Sequence, residues 1–574
     1  MKVMKNINRY IALAVFGGML TFNSCETTDL DITQDPNALT PDQASVDFFL
    51  SSIQEDFVRQ WDGDADYDPN DNWSSGGATT GDGFNIHGME LTRMMNMFGR
   101  SYPSVYQPTD MDDEWRNGYR GILSDIRAMT PLAEEADLTH HIGIANFIEA
   151  YLMVTLVDYF GDVPYTEAVK AGEGNFNPSV DSGASIYEAA EALLNQAIAN
   201  FNSSAAADPA EEFFYGNNYT KWVRAANTLK LKIYLQTRLV DGSAESKFNA
   251  IINSGNYIQA TADDMQWSWP GTSNTQPDTR HPYYGLNYQV TGGQHYQSNW
   301  YMNKLDVLGD PRIRYYFYRQ TDEVPGAPGV EPDEVALNCS LQAPPQHYID
   351  GGFTFCYLPN GYWGRDHGDS EGIPPDGLSR TLVGVYPAGG RFDDSSFEAI
   401  APGDGGGGTG ITLLLSAFGV DLMRAEFAMA NGNFPAARDF MLAAFDKQMA
   451  KVQAFLAGRE NGADITFEPT PAEIAAYRAQ ISADFDAADT EGKWDIFGEQ
   501  YLIAHYGNGV EPYNFYRRTL YPTTLQPNRE PNPGTFIMSM YYPSNAVNTN
   551  SNISQKADQT QPVFWDNSGV PPAN

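Results

Sequence analysis

Along much of the chain apolar residues recur three and four positions apart, the spacing that turns one face of an α-helix toward a core. Thr40-Pro41-Asp42-Gln43 reads as a helix start, with Thr40 as cap, Pro41 in the first turn and Gln43 closing the box. Val46, Phe49, Leu50, Ile53 and Phe57 follow at helical spacing. Residues 60–85 are rich in Gly, Asp and Asn and predict a long loop. Helical spacing returns near 87–98, 111–135 and 139–160. In the last of these, Ile144, Ile148, Leu152, Leu156 and Tyr159 form one stripe, Gly161 supplies a C-terminal cap and Pro164 blocks continuation. Amphipathic helices are expected at 185–201 and 219–239, and a shorter one at 245–254.

From 255 to 408 the pattern breaks. Gly, Pro, Asn, Trp and Tyr dominate, and only 298–308 and 311–319 keep a helical period. So much irregular chain inside a folded protein commonly carries function. Helices resume at 411–431, 434–458, 471–487, 493–506 and 511–519. Strand patterns are scarce, so the expected fold is all-α: a tetratricopeptide-like stack of helical hairpins with a loop-rich insertion. No 34-residue self-similarity is visible, and the stack rests on helix lengths. The expected divisions are a signal at 1–24, an acidic tether at 25–40, a helical body at 41–254, a loop-rich and aromatic-rich subdomain at 255–408, a second helical part at 409–522, and an extended tail at 523–574 that packs on the body.

The signal reading rests on basic Lys2, Lys5 and Arg9, an apolar run from Ile11 to Phe22 too short for a permanent span, and Ser24 before Cys25. The spacing fits cleavage and lipidation at Cys25, although Phe22 stands where a lipobox prefers Leu. Simple secretion is the other reading. Glu26, Asp29, Asp31 and Asp35 then form a solvated tether or an acidic export tag. No later segment reads as a membrane span. Export to an oxidising compartment suggests that Cys339 and Cys356 form a disulfide.

The net charge of −38 argues against nucleic acid as a partner. The alternating Asp62, Asp64, Asp66 and Asp68 resemble a calcium loop, but Tyr67 and Trp73 stand where that motif needs Gly and Glu. Gly403, Gly405 and Gly408 satisfy G-x-G-x-x-G without a preceding strand, so a flexible connector is the plainer reading. No zinc-protease, serine-hydrolase or Walker motif is present in the sequence, and adjacent His140 and His141 point to different sides of a helix. No cofactor, metal or catalytic residue is expected.

Aromatic residues are the better lead: 10 Trp, 33 Tyr and 31 Phe exceed what a core alone needs. Trp73, Trp267, Trp269, Trp300 and Trp363 lie mostly in expected loops, whereas Trp222, Tyr234 and Trp494 sit on helical stripes and read as core. A flat ring stacks on the C–H face of a sugar or grips a peptide side chain. The expected binding platform is Trp73, Tyr296, Trp300, Tyr362 and Trp363, with Arg365 and Asp366 as polar partners. These residues are chosen by loop position and chemistry alone.

Six segments, in order, resemble the SusD/RagB family of outer-membrane nutrient-binding lipoproteins. They are FGDVPYTEA (160–168), YGNNYTKWVRAANTLKLK (215–232), GDPRIRYYF (309–317), FGEQYLIAHYGNGVEPYNFYRRTLYP (497–522), MYYPSNAVNTN (540–550) and DQTQPVFWDN (558–567). Phe564-Trp565 stands where the family tail often pairs two Trp, and Ser544-Asn545 replaces an acid. Because these segments read as helix ends and caps, they are expected to hold the fold and not the ligand. The resemblance implies a tetratricopeptide-like body, a lipid anchor as the only membrane contact, an outer-membrane location facing the exterior, and a SusC-type TonB-dependent transporter as partner. The ligand it implies is an oligosaccharide or a peptide; a glycosidase is the remaining alternative.

Overall fold

The computed structural model describes residues 45–63, 83–271, 279–288, 293–323, 338–371, 380–400, 404–455 and 462–571. Cys25, the acidic run from Asp64 to Asp68 and Trp73 lie outside the described residues. The described body begins at Val46.

The body is helical. Its first half comprises α1 (Val46–Asp62), α2 (Phe84–Leu91), α3 (Ser124–Glu135), α4 (Thr139–Phe160), α5 (Gly183–Phe201), α6 (Tyr219–Gln236) and α7 (Ala244–Ser254). After α8 (Asn299–Leu308) come α9 (Ala417–Ala430), α10 (Phe434–Ala454), α11 (Pro471–Ala487), α12 (Thr490–Ala504) and α13 (Val510–Thr519). Successive helices pack as hairpins: α4 on α5, α5 on α6, α6 on α7, then α9 on α10 and α11 on α12. Helix α9 also meets α6, which joins the halves. This is the helical-hairpin architecture the spacing predicts.

Local chemistry sets the helix starts. The Asn218 side chain accepts from Lys221 N–H at the head of α6. Thr470 and Glu473 form a capping box at α11, where Pro471 costs no hydrogen bond. By length and composition α4 is apolar enough to cross a membrane, contrary to the sequence reading. It is instead the central helix, buried along almost its entire length, and it packs against α1, α3 and α5.

One expected helix changes type. Residues 410–415 form a strand, and α9 starts only where Ser416 caps Gly419 N–H. A short apolar run such as Ile411–Leu415 suits a buried strand as well as a helix, and periodicity cannot separate them. This strand, β2 (Gly410–Leu415), pairs antiparallel with β1 (Met265–Trp269). The glycine run before it is a tight turn. A Cβ on Gly405 would lie 1.2 Å from the Gly390 carbonyl oxygen, so close backbone packing explains that glycine.

The tail packs on the body. Met540 N–H donates to Tyr159 O at 2.7 Å, and the Trp565 indole N–H donates to Asp158 at 2.9 Å. The segments that resemble the SusD/RagB family build this interior. Asp310 and Arg312 form a buried ion pair, Lys232 meets Glu511 at 2.6 Å, and Arg517 stacks on Tyr513 with its centre 3.7 Å from the ring. Gly509 lets α13 meet α2 closely, since a Cβ there would sit 2.0 Å from Asn85 O.

Candidate ligand-binding cleft

The structure places six of the seven expected platform residues in the interior of the insertion; Trp73, the seventh, lies outside the described residues. Tyr296, Trp300, Tyr362, Trp363, Arg365 and Asp366 are each 5% exposed or less. Arg365 and Arg380 lie 4.3 and 4.0 Å from the Tyr296 ring. Arg319 covers Tyr362 at 4.8 Å. The Trp300 indole N–H is used on Thr524 O at 2.7 Å. Trp363 packs against Cys339 and Cys356, which are joined in a disulfide. These rings therefore do not form the exposed platform expected of them. An irregular segment has few regular backbone hydrogen bonds to bury, so large rings supply its core.

Asp366 organises this interior. Its carboxylate accepts from Cys356 N–H at 2.7 Å, Gln526 at 3.0 Å and Asn299 at 3.1 Å. Burial pushes its pKa up to about 6, from 3.8, against the pull of those donors. The folded state thus keeps this proton over a range where the unfolded chain has lost it. The associated stability is fully present below 3.8 and is lost as pH rises through about 6. An Asp366→Asn variant has no proton to lose. The stability difference, wild type minus variant, is expected to fall by about 3 kcal/mol between pH values below and above this window. Urea unfolding at about pH 3 and pH 7.5 measures it, and a difference that does not move with pH would refute this account of Asp366.

A solvent-open cleft lies elsewhere, between α1 and β1. It has a volume of about 520 Å³, with Val58, Phe213, Trp267, Trp269 and Pro270 as apolar wall and Ser51, Ser52, Glu55, Arg59 and Thr279 among its polar groups. The three rings form a bent apolar surface. Phe213 meets Trp267 edge to face at 5.5 Å, and Trp267 meets Trp269 at 6.0 Å and 74°. Glu55 is the one carboxylate among the described lining residues, and it pairs with Arg59 at 2.9 Å.

The cleft is backed by fixed polar chemistry. Trp269 Nε1 donates to Thr412 Oγ1 at 2.8 Å, and Thr412 donates to Asp62 at the end of α1. Asn85 donates to the other Asp62 oxygen at 2.9 Å. Burial pushes Asp62 up to about 6 and drives His281, 3.5 Å away, down to about 3, so His281 stays neutral near pH 7. This chain of donors holds the Trp269 ring in one orientation. The sequence signal for the wall was MQWSW (265–269), in which polar and aromatic residues alternate with the period of two that marks a strand.

Residues 83–333 match the family model SusD-like_2, described as starch-binding and associating with the outer membrane. Over these residues the chain is similar to SusD-like proteins. The match takes in β1 and its two tryptophans. Solved structures share the fold over 90–91% of the chain. A chitin-binding SusD homologue from Flavobacterium johnsoniae superposes with a TM-score of 0.61 at 15% identity, covering 91% of this chain and 99% of its own. A SusD homologue from Bacteroides fragilis gives 0.58 at 16%, covering 90% and 99%. A SusD/RagB family protein from Bacteroides thetaiotaomicron gives 0.59 at 17%, covering 91% and 99%. No curated protein matches the chain by sequence.

Proposed function

We propose that this protein is a surface lipoprotein, anchored through Cys25 in the outer membrane, that binds oligosaccharides in the Phe213–Trp267–Trp269 cleft and passes them to a SusC-type TonB-dependent transporter. The carrying observation is the cleft itself: the half-buried Trp267 ring meets Phe213 edge to face, the Trp269 ring, 5% exposed, is fixed beside it, and hydroxyl and charged groups edge the opening. Sugar rings have an apolar C–H face and a polar rim, and this surface offers both partners. The starch-binding description of the matching family and the chitin-binding neighbour support a glycan. The protein binds and releases its ligand unchanged. Hydrolysis by the usual route uses two carboxylates flanking the bond, whereas Glu55 lines this cleft in an ion pair with Arg59.

Calorimetry with starch- and chitin-derived oligosaccharides, and with mixed peptides, tests the reading. Binding to one glycan class is expected, and the Trp267→Ala/Trp269→Ala double variant is expected to lose about 30-fold or more, the effect of removing an aromatic anchor worth ~2 kcal/mol. Binding to peptides alone would replace the ligand class. Unchanged glycan affinity in the double variant would move the site elsewhere.

A further inference from the structure

Strand β1 has a second side. With period two, Gln266 and Ser268 point away from the side that carries Trp267 and Trp269. There a separate hollow of about 370 Å³ is lined by Tyr215, Lys221, Thr261, Asp264, Gln266 and Ser268. Phe213 and Trp267 line both this hollow and the aromatic cleft, so the two meet along the edge those rings form.

The two hollows differ in chemistry. The first is an aromatic wall. The second adds the Gln266 amide and the Ser268 and Thr261 hydroxyls to the edges of Phe213, Phe214, Tyr215 and Trp267. Its charges are matched in pairs. Lys451 meets Asp264 at 2.7 Å and also donates to the Gln266 oxygen, while Lys221 lies 3.8 Å from Asp263 and donates to Ala262 O. With its oxygen taken by Lys451, the Gln266 side chain turns its NH₂ toward Ser268 at 3.5 Å, near the limit of a hydrogen bond. That leaves donor capacity for a ligand hydroxyl. A site whose ions neutralise each other suits an uncharged, hydroxyl-rich group. The net charge of −38 adds a field that repels anionic chains.

We infer that this hollow is a second subsite, which holds an uncharged sugar unit by hydrogen bonds while the neighbouring unit of the same oligomer stacks on Trp267 and Trp269. The inference rests on the glycan reading of the aromatic cleft and adds the ligand's class: a neutral oligomer of at least two units that crosses the Trp267 edge, and not a uronate or sulfated chain.

The test is a fluorescence titration of the purified protein with neutral oligosaccharides from starch and chitin, from single units to hexamers, beside oligogalacturonides. Affinity is expected to rise at least tenfold from the monomer to the longer neutral oligomers, as two or three hydrogen bonds are added. Oligogalacturonides are expected to bind more weakly. Ser268 is exposed, so a Ser268→Trp variant fills the second hollow without entering the core. That variant is expected to bind hexamers no better than the wild type binds monomers. Gln266→Ala, a smaller change, is expected to lose part of the length dependence. Hexamer binding that survives Ser268→Trp, or an affinity independent of length, overturns the second subsite and leaves the aromatic site standing. A wild-type protein that binds no glycan overturns both.

Discussion

Replacing Arg518 with methionine is expected to destabilise the fold by about 3–5 kcal/mol, the cost of stranding one charge of a buried pair. The stranded charge is Glu426, with no exposed surface, and Arg518 itself is 2% exposed. Arg518 meets Glu426 through two bonds, Nε to Oε1 at 2.6 Å and a second nitrogen to Oε2 at 2.7 Å, and reaches Gln236 with the third. Burial alone would raise the Glu426 pKa. The charges of Arg518 and Arg238 and their hydrogen bonds outweigh it and hold the carboxyl below its ordinary value. The group thus links α13, α9 and the end of α6. Urea unfolding of Arg518→Met, Glu426→Gln and the double variant forms a cycle. Arg518→Met leaves the Glu426–Arg238 pair at 3.1 Å in place, whereas the double variant strips Arg238 of its carboxylate, so the double variant is expected to be no more stable than Arg518→Met alone. A single variant within about 1 kcal/mol of wild type would show that Arg238 suffices to hold Glu426.

Trp565→Ala is expected to cost a similar amount, about 3–5 kcal/mol, as a large buried ring is lost and a cavity left behind. Trp565 has no exposed surface. Its indole N–H bonds Asp158, which also accepts from Asn514 at 2.7 Å and from Tyr187, and the Arg517 guanidinium lies 4.9 Å from its ring. The loss is therefore both apolar and polar. Trp565→Phe restores part of the packing but not the donor, so it is expected to fall between alanine and wild type. Limited proteolysis gives the second readout: in the alanine variant, cleavage between 523 and 571 should precede cleavage of the helices. Equal protease resistance in both proteins would mean that the tail is held by its other bonds.

Most helices were legible because their apolar stripes are long. Residues 139–160 and 471–487 coincide with α4 and α11, and 219–239 exceeds α6 only by a short turn at Thr237–Leu239. Legibility failed where segments are short. Residues 311–319 keep a single helical turn at Ile313–Tyr316 before the chain pairs Phe317–Tyr318 with Leu382–Val383, and 411–415 became β2. The candidate site was less legible for a different reason. A tryptophan in an irregular segment can serve as core or as surface, and composition does not say which. Trp363 is enclosed by the insertion's own chain and Trp300 is held against the tail at Thr524, whereas Trp267 sits on a two-stranded ribbon with a cleft in front of it. The discriminating feature was the alternation in MQWSW, five residues that an all-helical reading passes over. The disulfide, by contrast, followed from export and an even pair of cysteines, and Cys339 and Cys356 are joined.

The bond from Trp565 to Asp158 also bears on the order of events during synthesis. Asp158 lies on the central helix α4, and its partners Asn514, Arg517 and Trp565 are all made more than 350 residues later. Until that last stretch emerges, Asp158 has the Tyr187 hydroxyl on α5 but none of these three later partners. Closure of the centre of the fold therefore waits on the last residues of the chain to be made.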